Sequence, residues 1–343
     1  MNPTATPTIT AIVPARNEER TIETCVRSLA AQPEIAEIRA VNDGSTDGTA
    51  EILTRLAADI PRLRVIEAGP LTSGWVGKNH AAWIGAQDAW TEWLLFTDSD
   101  VRHLPGSAAH ALANGELRGA ALVSYSPAQR MDTWWERAMI PFVFARLAHR
   151  YPYNKVNDPS SRVAAANGQY LLIRRDAYTH IGGHRAIAGD ILEDVALARN
   201  AKTAGLLLHF APGEQIARTH MYTTFRDMWE GWAKNLYPLF GGTPASAVLE
   251  LVKVLPIPEI MLIATALVCW QKGVPEAGIG SLIALAAGAG YTFRERLAHP
   301  IVDANIKYWS FGRILFCAAL VASAWRHAQG VVPWKGRTYP ARP

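Results

Sequence analysis

The sequence predicts an α/β fold, a doubly wound and mostly parallel sheet followed by C-terminal membrane-associated helices. Three observations predict it. Short apolar runs alternate with helical spacings from Thr8 to Asp100, as strands joined by right-handed crossovers do. "WLLFTDSDVRH", Trp93 to His103, drives a continuous apolar run into two carboxylates, which suits a strand buried on both faces and ending at a ligand site. After Pro244 the composition turns apolar and rich in small residues.

Taken in order, Ile9 to Val13 reads as a strand ended by Pro14, and "RTIETCVRSLAAQ" carries Ile22, Val26 and Leu29 at helical spacing. "IAEIRAVNDGSTDGTAEILTRLAADI" is strand, turn and helix, with the turn formers Asn42 to Gly48 ending at the helix start. "RLRVIEAG" is a third strand, "GKNHAAWIGAQDAW" a helix and "WLLFTDSD" the fourth strand. If the extended form persists through it, Asp98 and Asp100 project to one side about 7 Å apart. "ALVSYSPAQR" is a further strand, and "TWWERAMIPFVFARLAHRYP" an amphipathic stretch suited to a membrane surface. "GQYLLIRRDAYTHIGGH" is a strand running into a helix and a Gly-Gly turn. "ILEDVALARNAKTAG" is a helix with acids in its first turn and Gly205 as its C-cap.

The chain has 343 residues and a net charge of +4, with no basic run, which argues against a nucleic-acid partner. Cys25, Cys269 and Cys317 are far apart and read as buried thiols. The start "MNPTATPTIT" has neither a basic n-region nor an apolar h-region, so the N-terminal domain is expected in the cytoplasm. The twelve tryptophans, several beside basic or apolar stretches, hint at a membrane interface.

Val254 to Trp270 and Ala277 to Phe293 read as a membrane hairpin, and Ile314 to Trp325 as a shorter apolar segment. Arg313 precedes that third segment and Arg326 with His327 follows it, which fits a surface-lying helix. The expected division is a nucleotide-sugar domain over 1–240 and anchoring helices with a terminal "WKGR" segment over 241–343. Two crossings then return the C-terminus to the cytoplasmic side of the inner membrane.

Four clusters of chemistry fall at the ends of successive α/β elements, where parallel strands share one edge. They are Pro14-Ala15-Arg16-Asn17-Glu18, Asp43 within "NDGSTDGT", Gly77-Lys78-Asn79 and Asp98-Ser99-Asp100. Asp43 suits hydrogen bonds from a base or ribose, and Lys78 suits a phosphate as a point charge. The acid pair suits Mg²⁺ or Mn²⁺ beside a diphosphate leaving group. Glu193-Asp194 opens a helix, and a carboxylate there can deprotonate an acceptor hydroxyl. Taken singly, each cluster also reads as a turn, a solvated face or an acidic first turn.

The ordered set "PARNEE", "NDGSTDGT", "GKNHAAW", "FTDSD", "GGH" and "EDVALA" resembles family-2 glycosyltransferases with a GT-A fold, from about Thr8 to Pro238. "SGWVGKNHA", "NGQYLLIRRDAY", "GWAKNLY" and "VPWKGRTYP" look most like membrane-bound lipid glycosyltransferases of the hopanoid-associated and carotenoid type. The resemblance implies that Asp43 contacts the base, usually uracil, that Asp98 contacts ribose or metal, and that Asp100 contacts the metal and diphosphate. It implies Asp194 as the base for inverting transfer, with Glu193 beside it. Pro14, Arg16, Glu18, Lys78 and Ser99 would line the donor site, with Trp334, Lys335 and Arg337 closing over it. The stretch "TTFRDMWEGW" offers Arg226 and Trp229 toward the donor but lacks the Arg-Trp pair of processive members, which disfavours a polymerase. His220 is a further candidate for the metal or diphosphate.

The expected function is inverting transfer of a hexose, from a UDP-hexose, to a lipid hydroxyl held in the bilayer. Transfer to a polyprenyl phosphate is the first rival, since a phosphate acceptor needs no strong base. A catalytically silent nucleotide-binding scaffold is the second, and the acids at 98, 100 and 194 argue against it.

Overall fold

The computed structural model describes residues 9–254 and 305–340, together with 264, 267, 268 and 271. Ile9–Ala15 (β1), Ile35–Asn42 (β2) and Leu63–Glu67 (β3) are parallel strands. Ile22–Ala30 (α1) and Thr49–Asp59 (α2) connect them. Helix α1 buries Ile22, Cys25, Val26 and Leu29, the i, i+3, i+4, i+7 stripe of an amphipathic helix. Gly77–Ala86 (α3) leads into Trp93–Phe96 (β4), which pairs parallel with β1. Gly85 lets α3 lie close on the sheet, because a Cβ there would meet Ile12 Cγ2 at 2.6 Å and Val41 Cγ2 at 2.9 Å. Strand β4 is buried on both faces. Trp93 and Leu95 enter one apolar core, Leu94 and Phe96 the other.

Val101–His103 (β5), Ser107–Arg118 (α4) and Leu122–Gln129 (β6) follow. Trp134–Arg150 (α5) interrupts the α/β pattern, which resumes with Tyr153–Asn157 (α6) and Leu171–Arg174 (β7). Arg175–His180 (α7), Gly183–Ala186 (α8), Glu193–Thr203 (α9) and Leu208–Thr219 (β8) complete the sheet region. The eight strands run β3-β2-β1-β4-β7-β6-β8-β5. The half from β3 to β4 is parallel, β7 opposes both β4 and β6, and β6 pairs parallel with β8. The expected C-cap of α9 is present, since Gly205 adopts a φ of 76° and donates to Lys202 O at 3.0 Å.

One expectation fails at the end of β4. The extended form stops at Phe96, and Ser99-Asp100 form a turn in which Val101 N donates to Asp98 O at 3.3 Å. Thr97 still donates its N–H to Ile12 O at 3.2 Å, and its hydroxyl donates to Gln169 O at 2.8 Å. Asp98 and Asp100 are therefore neighbours in a turn, and strand alternation does not set their spacing.

Close contacts divide the chain into two units. Among the described residues the first comprises 9–130, 151–223 and 333–340, and holds the sheet. The second comprises 131–150, 224–254 and 305–332. It contains α5, Phe225–Leu239 (α10), Pro244–Val254 (α11) and Trp309–Ala328 (α12). Helix α5 opens with a capping box, Thr133 N donating to Glu136 Oε2 at 2.8 Å and Glu136 N to Thr133 Oγ1 at 3.4 Å. The stretch expected on a membrane surface is instead a core helix of this unit. Ala138, Met139, Ile140, Pro141, Phe142 and Val143 are all buried. Gly312 of α12 crosses α5 so closely that a Cβ there would overlap Ala138 O.

Helix α12 is also longer than the segment from Ile314 to Trp325. Its 20 residues start at Trp309, and by length and composition it can cross a membrane. The apolar segments at 254–270 and 277–293 lie outside the described residues. Val331–Trp334 (β9) and Arg337–Pro340 (β10) form a two-stranded hairpin, of which 333–340 belong to the sheet unit.

Candidate active site

The site is built on the carboxyl ends of β1, β2 and β4, where a parallel sheet leaves a crevice. Pro14 ends the apolar part of β1. The loop after it holds Asn17 at a φ of 55°, stabilised by its side chain accepting from Thr46 N at 2.8 Å. That turn points Arg16 back toward β2, where Nη1 donates to Asp43 O at 2.5 Å and Gly44 O at 3.0 Å. Asp43 is buried, its N–H donating to Ala15 O at 2.8 Å. Arg337 of the terminal hairpin takes both of its carboxylate oxygens, Nη2 lying 3.0 Å from Oδ1 and Nη1 pairing with Oδ2. Lys335 pairs with Glu18 and donates to Arg16 O at 3.1 Å. Trp334 precedes this turn and is half-buried.

Lys78, in the first turn of α3, sits between two acids. Its Nζ lies 2.5 Å from Asp98 Oδ1 and 2.5 Å from Glu193 Oε1. Burial alone would lower this ammonium, but Asp98 and Glu193 overcome it and hold it well above its ordinary range. Asp194, next along α9, accepts from Gly168 N at 2.9 Å through Oδ2 and from Val195 N at 2.7 Å through Oδ1. Burial first, and then the neighbouring Glu193 carboxylate, push Asp194 up to about 6, against Lys78 and the two N–H groups. Pro14, Lys78, Thr97, His184, Glu193 and Asp194 line one small cleft.

The acid pair suits a divalent cation. Asp100 Oδ1 is buried and makes no hydrogen bond. Burial first, then Asp98 and Glu18, push Asp100 up to about 7. Two hard oxygen donors crowded by like charge are relieved by Mg²⁺ or Mn²⁺, which take one or two protein carboxylates and fill the remainder with phosphate and water. Among the described residues no cluster of three or more His, Cys, Asp or Glu side chains forms. His220 lies just after β8, two residues before Tyr222, on which the charges of Asp100 and Asp98 act.

Ser99 is buried within the turn that carries the acids. Arg226 and Trp229 stand on α10 of the second unit, Arg226 exposed and paired with Glu230 at 2.9 Å, and Trp229 stacked on Phe225. Residues that sequence reasoning passed over also enter. Gly168 supplies the N–H that holds Asp194, and a Cβ there would meet Glu193 Oε1 at 3.0 Å and Lys78 Nζ at 3.1 Å. His184 is buried with Nδ1 3.0 Å from Tyr178 Oη, and burial followed by Lys78 holds it down to about 3, neutral at the cleft wall. Tyr339 accepts from Gly77 N at 3.4 Å. Each sits inside a motif quoted above, "NGQYLL", "GGH" and "WKGRTYP", but nothing local in those strings marks the residue.

Comparison with known proteins converges on one chemistry. A 4,4'-diaponeurosporenoate glycosyltransferase of Staphylococcus aureus is 28% identical over 357 residues, covering 96% of this chain and 88% of its own. The version from another strain of that species is 27% identical over 350 residues. The mannosyltransferase PcManGT from Pyrobaculum calidifontis, solved with GDP-Man and Mn²⁺, is 21% identical. It superimposes with a TM-score of 0.60 over 95% of this chain and 88% of its own, which supports the GT-A fold. The family model "Glycosyl transferase family 2" matches residues 10–182, just over half of the chain. That stretch contains Asp43, Lys78, Asp98 and Asp100, and on this match the chain belongs to glycosyl transferase family 2.

Proposed function

We propose that this glycosyltransferase moves a hexose from a nucleoside-diphosphate sugar to a membrane lipid, with inversion at the anomeric carbon. The observation that carries the reading is the position of Lys78, 2.5 Å from an acid of the donor turn and 2.5 Å from an acid of the α9 helix. One ammonium thereby ties the donor side of the crevice to the helix bearing Asp194. The lipid acceptor is suggested by the S. aureus relative, named for a diaponeurosporenoate, and by the apolar length of α12.

Asp43 faces the nucleobase, with Arg16 fixing its backbone carbonyl. Asp98 and Asp100 hold Mg²⁺ or Mn²⁺, which when bound offsets the charge on the departing diphosphate. Asp194 accepts the proton of the acceptor hydroxyl as that oxygen attacks C1, and the sugar–phosphate bond breaks on the opposite face. A value near 6 leaves Asp194 ionised at neutral pH yet basic enough to take a proton in the transition state. Glu193, neutralised by Lys78, holds the first turn of α9 in place. The proposed division of labour is catalysis within 1–240 and anchoring within 241–343, with Trp334, Lys335 and Arg337 returning to the donor side. The anchor is set in the inner membrane with the catalytic region on its cytoplasmic side.

The test uses membranes carrying the full chain. Radiolabelled UDP- and GDP-hexoses are supplied singly with Mn²⁺ or Mg²⁺ and lipids ending in hydroxyl, carboxylate or polyprenyl phosphate. Label is then counted in the organic phase. Transfer from one donor to a hydroxyl lipid, lost in Asp100→Asn, supports the reading. Transfer only to the carboxylate or to polyprenyl phosphate, neither of which offers Asp194 a proton to take, or none despite nucleotide binding, contradicts it.

A further inference from the structure

Asp43 is held on every side. Its N–H goes to Ala15, its carbonyl to Arg16, and its carboxylate to the two-pronged guanidinium of Arg337, 294 residues away in the chain. The fork arrives on a tight hairpin. Lys335 and Gly336, the two residues between β9 and β10, have φ of 45° and 74°. Such a turn needs left-handed backbone at both central positions and is usually built from Asn-Gly. A lysine at the first position costs about 1–2 kcal/mol of backbone strain. Strain of this kind persists where the surroundings fix it, and here the Lys335 ammonium reaches Glu18 and Arg16 O while Arg337 reaches Asp43. Gly77 makes room for the fork, because any Cβ there would collide with Arg337 Nη1 and with Asp43 Oδ2 at 2.7 Å. His80, one turn further along α3 beside this pair, keeps a buried Nδ1 that has no hydrogen-bond partner.

A carboxylate is an acceptor only, and a guanidinium is a donor only. Arg337, holding both carboxylate oxygens of Asp43, therefore fixes the plane of its remaining lone pairs. A base edge with a ring N–H, as in uracil or guanine, can donate to such a carboxylate. Cytosine and adenine place a bare ring nitrogen there, lone pair against lone pair. We propose that Arg337 is a positioning residue for nucleobase selection, locking Asp43 so that the donor site accepts nucleotides whose base presents a ring N–H. This rests on the reading of Asp43 as the residue that faces the base. Charge alone does not supply the effect, because a lysine can neutralise Asp43 without holding both oxygens.

The experiment is nucleotide binding by the detergent-solubilised full chain with Mn²⁺, titrating UDP, GDP, CDP and ADP by calorimetry. The wild type is expected to prefer UDP or GDP over CDP and ADP by roughly tenfold or more, the cost of leaving a buried acceptor facing another acceptor. In Arg337→Lys that ratio is expected to collapse to about twofold, with the unliganded melting temperature reporting that the fold is kept. Asp43→Asn, whose amide offers a donor as well, should bind CDP or ADP better relative to UDP. Should Arg337→Ala fail to fold, Arg337→Lys and Arg337→Gln carry the comparison. A wild-type ratio in Arg337→Lys overturns the proposal. So does tighter binding of every nucleotide by Arg337→Ala, because Arg337 would then occupy the site and not support it. If the wild type binds none of the four, the nucleotide-sugar reading itself falls.

Discussion

Asp194 illustrates how much a single carboxyl owes to its surroundings. On an exposed first turn it would be an ordinary acid favoured by the helix dipole. Here burial and Glu193 push it up, and only two N–H groups and Lys78 resist. Asp194→Asn is expected to lower kcat by roughly 10²–10⁴-fold, the usual worth of a general base, with donor affinity little changed. The sign of the pH dependence follows from the same shift. The active form is the carboxylate, so the rate should climb as pH rises through about 6 and level off above it. In the asparagine variant that rise should vanish, and a rise that persists would move the titrating base elsewhere. Lys78 is a second residue whose loss should be felt without any contact to acceptor. Lys78→Met removes the cation between Asp98 and Glu193, and is expected to cost about 10²-fold in kcat/KM through misplacement of both, read in the same transfer assay.

At the level of elements, the parallel half of the sheet was legible in the sequence because its signals are local. An apolar run of four residues before Asp98 is a doubly buried strand, and Trp93 to Phe96 do alternate between two cores. The helix opened by Glu193-Asp194 and its Gly205 cap were legible for the same reason. The turn at Asp98-Ser99-Asp100 was not, because the residue leading into it, Thr97, is fixed through its hydroxyl by Gln169, far along the chain. The antiparallel insertion of β7 beside β4 likewise depends on pairing between distant segments. The docking of Arg337 on Asp43 left no local trace, since an ion pair across 294 residues imposes no pattern on its neighbours. "WKGRTYP" signalled function only through resemblance. The packing of α3 on β1 and β2 gives a stability test that is independent of chemistry. Gly85→Val forces side-chain atoms into Ile12 and Val41, and is expected to destabilise the sheet unit by about 1–3 kcal/mol in chemical denaturation. An unchanged midpoint would show that α3 can withdraw from the sheet.

At the scale of the whole molecule, α12 is the element on which the proposed membrane anchoring rests. Its inward stripe of Trp309, Gly312, Phe316, Leu320 and Ser323 packs within the second unit, beside α5, α10 and α11. Its outward stripe of Phe311, Ile314, Val321 and Trp325 is equally apolar and exposed. A helix apolar all round is covered by protein or lipid. The expected outcome is that detergent, but not high salt, releases the chain from membranes. Ile314→Lys with Val321→Lys should shift it toward the soluble fraction while leaving nucleotide binding by the sheet unit intact. Salt release of the wild type would argue for a merely electrostatic attachment.

As the base of a single displacement, Asp194 delivers the acceptor to the face of the sugar opposite the diphosphate in the proposed reaction. The most direct measurement is the anomeric configuration of the lipid product by NMR, starting from an α-linked nucleotide sugar. A β-linked product is the result expected of direct displacement by one base. An α-linked product would mean retention, and would contradict the assignment of Asp194 as the base for a single inverting attack.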